Sequence, residues 1–231
     1  MKTKSLLLTA ALSAAGIASS LAQVYSVNVV GYINVDIQPG LNLVTAQLTG
    51  TNNSINTVLA TTTPVMSDNS LLFTWNSGAQ TFNNAQVYGS GQWYDPDTGA
   101  LSTATISPGQ AAFINNVGTA SKLLVVGTVP TGTLPVTVSQ NLGLYGDPAP
   151  VSQNIATNGF PIDDNDLLFS WNVAGQTYNN ALVGAGPQSG GPAWFDPNTG
   201  NPANYAPAVG EGFVVNHLGA TATWNRSFTV Q

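Results

Sequence analysis

The sequence predicts an all-β protein of two tandem homologous antiparallel domains, each a β-sandwich or small barrel. The block Asp68-Asn69-Ser70-Leu71-Leu72-Phe73-Thr74-Trp75-Asn76 recurs 96 residues later as Asp164-Asn165-Asp166-Leu167-Leu168-Phe169-Ser170-Trp171-Asn172. Apolar and polar residues alternate at period two at both ends of the mature chain, the pattern of half-buried strands. Between those ends, β-branched and aromatic runs are broken by Pro, Gly, Asn and Asp turns about every 8 to 15 residues, the spacing of sandwiches and small barrels.

Taken in chain order, the first element is one the mature protein should lack. Lys2 and Lys4 precede an apolar run from Leu6 to Ile17, and Ser20 and Ala22 occupy the −3 and −1 places of a signal-peptidase site, so residues 1–22 read as a cleaved signal peptide. The run is too short for the roughly 20 residues of a membrane span. From Tyr25 to Ile37, the residues Tyr25, Val27, Val29, Ile33, Val35 and Ile37 share one face, with Ser26, Asn28, Asn34 and Asp36 opposite, which predicts a strand. One or two helical turns are expected around Ser54 to Thr61. In Leu71-Leu72-Phe73-Thr74-Trp75, alternation puts Leu71, Phe73 and Trp75 together, so Trp75 and Trp171 are expected in the core.

The repeat continues through Gln80-Thr81-Phe82-Asn83-Asn84-Ala85, which returns as Gln176-Thr177-Tyr178-Asn179-Asn180-Ala181. After an insertion at Gly184 to Pro192, Trp93-Tyr94-Asp95-Pro96-Asp97-Thr98-Gly99 returns as Trp194-Phe195-Asp196-Pro197-Asn198-Thr199-Gly200. Val29-Val30-Gly31 and Val125-Val126-Gly127 read as a further match. The division expected is 23–124 for the first repeat and 125–231 for the second, since a period near 100 residues is long enough to bury its own core. The last strand places Ala222, Trp224, Phe228 and Val230 on one face, interrupted by Arg226. A guanidinium there needs a carboxylate or carbonyl partner, with Glu211 and the Asp163 to Asp166 cluster the nearest by repeat membership.

Composition removes most chemistries. Charged residues are 6% of the chain, against roughly 25% in ordinary soluble domains. Nucleic-acid binding needs clustered Lys and Arg, and of the four such residues two lie in the signal peptide. The mature chain sets Lys122 and Arg226 against ten acidic residues, a balance of −8. Cys is absent, which removes disulfides, thiol nucleophiles and thiolate metal sites, and together with export points to a bacterial source. The one histidine, His217, reads as a solvated strand-end residue, and no Gly-x-Ser-x-Gly elbow accompanies it.

Three groups remain as candidates. Trp93, Tyr94, Trp194 and Phe195 form adjacent pairs, and neighbouring strand residues point to opposite faces, so one aromatic of each pair should face outward where a sugar ring could stack. Asp95 and Asp97, with Asp196 and Asn198, have the spacing that opens calcium loops, although Asp-Pro-Asp-Thr-Gly equally suits a β-turn without metal. Glu211 is the one candidate glycosidase carboxylate, and its repeat-mate is Gln110.

The segments Val24-Tyr25-Ser26-Val27-Asn28-Val29-Val30-Gly31-Tyr32, Pro39-Gly40-Leu41-Asn42-Leu43-Val44, Gly210-Glu211-Gly212-Phe213-Val214-Val215 and Trp224-Asn225-Arg226-Ser227-Phe228-Thr229-Val230 together resemble a family of secreted two-repeat bacterial β proteins without assigned function. Gly40-Leu41-Asn42-Leu43-Val44 is also similar to the first strand of small "GWNLVS" surface modules, with Leu41 in place of the Trp. The resemblance implies secretion and the repeat, and brings no active site. The expectation is therefore a non-catalytic extracellular or periplasmic structural, adhesive or surface-interaction protein without a transmembrane segment. Its partners would be extracellular matrix, a glycan or further copies of itself. The alternative is a carbohydrate-binding protein using the outward aromatics, with calcium as the one cofactor its turns could take. Mass spectrometry of exported protein should find a chain beginning at Gln23; an intact Met1 on that material would reject the cleavage.

Overall fold

The computed structural model describes residues 29–61 and 64–230, so the expected signal peptide, Tyr25 and Val27 lie outside the described residues. Repeat 1 runs through β1 (Val30–Ile37), β2 (Gly40–Thr45), one helical turn α1 (Ile55–Val58), β3 (Leu59–Thr61), β4 (Leu71–Asn76), β5 (Thr81–Phe82), β6 (Gln86–Gly89), β7 (Gln92–Tyr94), β8 (Ala111–Asn116) and β9 (Ser121–Thr128). Repeat 2 follows with β10 (Gly132–Val138), β11 (Asn141–Gly146), β12 (Leu167–Asn172), β13 (Thr177–Tyr178), β14 (Leu182–Ala185), β15 (Ala193–Phe195), β16 (Gly212–His217) and β17 (Ala222–Phe228).

These strands pair antiparallel throughout. Repeat 1 has a large sheet in the order β2-β8-β4-β6-β7, with β5 folded back on β4, and a small sheet β1-β9-β3. Repeat 2 reproduces both as β11-β16-β12-β14-β15, with β13 on β12, and β10-β17. Each small sheet covers one face of its large sheet. In repeat 1, Ile37, Leu123 and Val125 meet Leu72, Ile114 and Trp93. In repeat 2, Val136, Val138 and Trp224 meet Leu168, Phe213, Val215 and Trp194. The protein is therefore two tandem β domains of the same construction, and the alternation read along β1 and β17 holds where it is described, with Ile37 and Trp224 pointing inward.

Two readings are corrected. Val30 and Gly31 pair across β1 and β9 with Thr128 and Gly127, so the two Val-Val-Gly segments lie on partner strands of one sheet and are not equivalent positions of two repeats. The division expected after residue 124 falls inside β9, whose residues all pair with β1, and the two repeats are joined by residues 129–131. The repeats differ in the length of two connections, of which the second is the insertion read from the sequence. The β2–β4 connection of repeat 1 (46–70) is longer than its counterpart (147–166) and holds α1 and β3, and the β14–β15 connection (186–192) is longer than the β6–β7 turn (90–91).

Arg226 does face the second core, but its partner is not Glu211 or the Asp163–Asp166 cluster. Its Nε donates to Asp147 Oδ1 at 3.1 Å and Oδ2 at 3.2 Å, and its other nitrogens donate to Gln153 Oε1 at 2.7 Å and Ser227 O at 3.1 Å. Asp147 is buried, and desolvation lifts its carboxyl above the ordinary range despite the opposing bonds from Ala149 N, Arg226 and Asn158. The corresponding pair in repeat 1 is Ala46 and Val125, both fully buried and apolar.

One backbone thus carries an ion pair in one copy and hydrocarbon in the other. Arg226→Ala should cost about 3–5 kcal/mol at neutral pH, because it strands a buried carboxylate. A carboxyl raised in the fold gives stability that is complete below its unfolded value of about 3.9 and lost as pH rises through the folded value, so the deficit of the variant should shrink toward pH 4. The double change Asp147→Ala/Arg226→Val, which installs the residues of repeat 1, should match wild type or exceed it by up to about 4 kcal/mol. Urea unfolding at pH 4 and pH 7 measures both; a double variant as weak as Arg226→Ala would show that the pair contributes net attraction.

Candidate functional site

The seam between the repeats forms where the outer faces of the two large sheets meet. Leu43, Ala111 and Phe113 bury against Leu144 and Val214, flanked by Phe73, Trp75, Phe169 and Trp171. Trp75 and Trp171 are thus half-buried seam residues, not members of the repeat cores, and Leu72 and Leu168 take the core positions. Side chains alternate along these strands as the sequence predicts, but both faces of the strands are covered, so alternation does not specify which face meets which core.

The seam is held by reciprocal contacts. Trp75 Nε1 donates to Leu142 O, and Trp171 Nε1 donates to Leu41 O, both at 2.8 Å. Gln80 Nε2 donates to Leu142 O at 3.0 Å while its Oε1 accepts from Leu142 N at 3.0 Å. Gln176 does the same to Leu41, at 3.1 and 2.7 Å. At the other end of these strands Thr45 N donates to Gly210 O at 3.0 Å and Gly146 N to Gly109 O at 3.2 Å. Both Gln residues adopt positive φ, 52° and 50°, which turns each side chain toward the opposite repeat. Gly109 and Gly210 also have positive φ, and a Cβ there would run into Val136 and Val35 of the other repeat.

A groove opens beside this seam. A cleft of about 450 Å³ lies between the end of β4, the turn at 105–111 and strands β10 and β11. A more open hollow of about 610 Å³ adjoins it below Phe82, and Thr74, Asn83 and Thr105 line both. Among the described residues the only charged lining residue is Asp95. Phe82 is 42% exposed and is held edge-on by Trp75 at 4.9 Å and Phe113 at 6.1 Å.

The structure distributes the sequence candidates differently. Trp93 and Trp194 are 1% and 0% exposed core residues, which removes them as stacking platforms. Their neighbours Tyr94 and Phe195 are half-buried, with Tyr94 Oη donating to Gln92 Oε1 at 3.4 Å. Asp95 Oδ1 accepts from Asp97 N at 2.9 Å and Asp196 Oδ1 from Asn198 N at 2.8 Å, so both motifs are closed Asx turns. Asp97 Oδ2 accepts from Asn84 Nδ2 at 2.8 Å. Among the described residues no three His, Asp or Glu side chains gather as a metal-binding group.

His217 is fully buried, contrary to the solvated reading. Its Nδ1 lies 2.7 Å from Asp166 Oδ2 and its Nε2 3.1 Å from Ala220 O, so both ring nitrogens are engaged. Asp166 also accepts from Asp163 N and Leu218 N. In repeat 1 the same corner is neutral, with Asn116 Nδ2 donating to Thr119 O at 2.7 Å and Ser70 Oγ accepting from Val117 N at 3.3 Å. Glu211 accepts from Tyr205 Oη at 3.0 Å and Ala208 N at 2.8 Å, and burial together with this carboxylate pushes the Tyr205 phenol far up, which keeps it a donor.

Sequence reasoning missed Phe82, Thr74, Thr105 and Thr137 as groove residues. The repeated Thr81-Phe82-Asn83-Asn84 was the available signal, because an aromatic followed by two Asn is costly to leave exposed without a use. Comparison with protein-family models found no match, and comparisons with curated proteins and solved structures found none either.

Equal seam geometry should give equal energetics. Trp75→Phe and Trp171→Phe each keep a ring and remove one N–H, so each should cost about 1–3 kcal/mol. Urea denaturation would report a cost confined to one of the two as an asymmetric seam.

Proposed function

We propose that the chain is a non-catalytic extracellular structural or surface-interaction protein. The observation that carries this reading is the reciprocal clasp at the seam, where Trp75, Gln80, Trp171 and Gln176 join the two domains over a shared apolar cluster. The groups with catalytic potential support it as well. His217 is buried with both nitrogens engaged, and both oxygens of Glu211 are engaged by Tyr205 and Ala208. Among the described residues no helix is long and apolar enough to cross a membrane.

Secretion, the cleaved leader and bacterial origin belong to the same proposal and rest on the sequence. The test is to incubate the labelled mature chain with extracellular material from cells that express it and to follow its own association by sedimentation. Retention on the material or assembly into oligomers is expected. A monomer that binds nothing, or a glycoside or ester hydrolysis lost in Glu211→Gln, would overturn the reading.

A further inference from the structure

We propose that the groove beside the seam binds an extended, uncharged oligosaccharide through Phe82, Asn83, Thr105 and Thr137; this rests on the reading of the chain as a surface-interaction protein. The two hollows share walls, so they form one continuous groove suited to a chain of sugar rings more than to a single ring. The whole protein carries a formal charge of −6, and the one charged group among the described lining residues is a carboxylate, an arrangement that disfavours uronates, sulfates and phosphates.

The lining matches a neutral sugar in kind. Phe82 offers a rigid apolar surface for C–H faces, already fixed by its neighbours, so little side-chain freedom is lost on binding. Asn83 Nδ2 donates to Thr74 Oγ1 at 2.9 Å, which orients the pair and leaves the Asn83 carbonyl oxygen and the Thr74 hydroxyl hydrogen for a ligand. The Thr105 and Thr137 hydroxyls are engaged by no other described residue.

Repeat 2 keeps part of this set, with Tyr178, Asn179 and Ser170 at the positions of Phe82, Asn83 and Thr74 and Asn179 Nδ2 donating to Ser170 Oγ at 2.7 Å, so the difference between the copies lies in fewer residues. Repeat 2 builds the same strands with Tyr205, Ala206 and Leu182 at the positions of Ala104, Thr105 and Gln86. The Tyr205 ring packs on Phe213 at 6.1 Å, where repeat 1 has only a methyl group. What repeat 1 adds is the Thr105 hydroxyl, the Gln86 amide and the space left by the Ala104 methyl group.

The test is calorimetric titration of the full mature chain with cellohexaose, laminarihexaose, xylohexaose and mannohexaose. Hexagalacturonate serves as the charged comparison and a proline decapeptide as the peptide comparison. At least one neutral hexaose should bind, more than tenfold tighter than its monosaccharide. Thr137→Trp, at an exposed strand position, should weaken it at least tenfold with unchanged melting, and Phe82→Ala, titrated below its own melting transition, should also weaken it at least tenfold. Should Thr137→Trp melt early, Thr137→Val is read in its place, with at least a threefold loss expected. The proposal is overturned if no neutral hexaose binds, if hexagalacturonate or the peptide binds more tightly, or if affinity is unchanged in the folded variants. Retention on extracellular material alongside silent titrations would reject the groove ligand alone, whereas hydrolysis of a hexaose would reject the underlying reading.

Discussion

The structure depends on the mutual covering of two sheet edges. β2 and β11 are the outermost strands of their large sheets, and an uncovered edge presents unpaired N–H and C=O groups that invite uncontrolled pairing. Here each edge is closed by the other repeat, through Trp and Gln side chains at one end and a backbone bond at the other. A Gln amide presents an N–H and a C=O side by side in the spacing of a peptide group, so it answers both groups of Leu41 or Leu142 as a neighbouring strand would, while its second N–H bonds Ser77 O or Val173 O within its own turn. The apolar seam beneath excludes water from those bonds. One repeat alone would expose both the edge and the Leu43, Ala111 and Phe113 face, which gives a physical reason for the two copies to occur together.

Within this frame the copies have diverged by changing chemistry at fixed backbone positions. The corner at the end of β8 and β16 is built from a hydroxyl and an amide in repeat 1, Ser70 and Asn116, and from a carboxyl and an imidazole in repeat 2, Asp166 and His217. Both sets satisfy the same backbone groups, so the polar requirement is set by the strand-end geometry and the residue type is free within it. The Ala46 and Val125 pair against Asp147 and Arg226 makes the same point in the core, where either a fully bonded ion pair or plain hydrocarbon fills the space. The third case, Ala104 with Gln110 against Tyr205 with Glu211, exchanges a methyl group and a neutral amide for a phenol bonded to a carboxylate.

The repeat, the all-β class and the inward faces of β1 and β17 were legible in the sequence because each is a local pattern, a period of two or a recurring string. Arg226 was legible as a charge needing a partner, but Asp147 was not. Asp147 lies at the end of β11, and its proximity to β17 arises only when the small sheet folds over the large one. The burial of His217 was hidden for the same reason, since its partners come from the β11–β12 connection and a tight turn after β16.

The candidate surface was the least legible part. Trp93 and Trp194 stood out as aromatics, yet aromatic content measures apolar area without saying which side of a sheet becomes solvent. The groove draws on β4, the turn at 105–111 and β10, segments of two repeats that no local pattern connects. The sequence by itself determined the strands, the duplication and the scarcity of charge, because these follow from residue type and spacing along the chain. Only the tertiary structure decided that Trp75 and Trp171 close each other's sheet edges, that Asp147 answers Arg226 and that Phe82 stands over a polar groove. Those outcomes depend on how two already formed sheets meet, which is fixed by shape and edge pairing across more than sixty residues of separation.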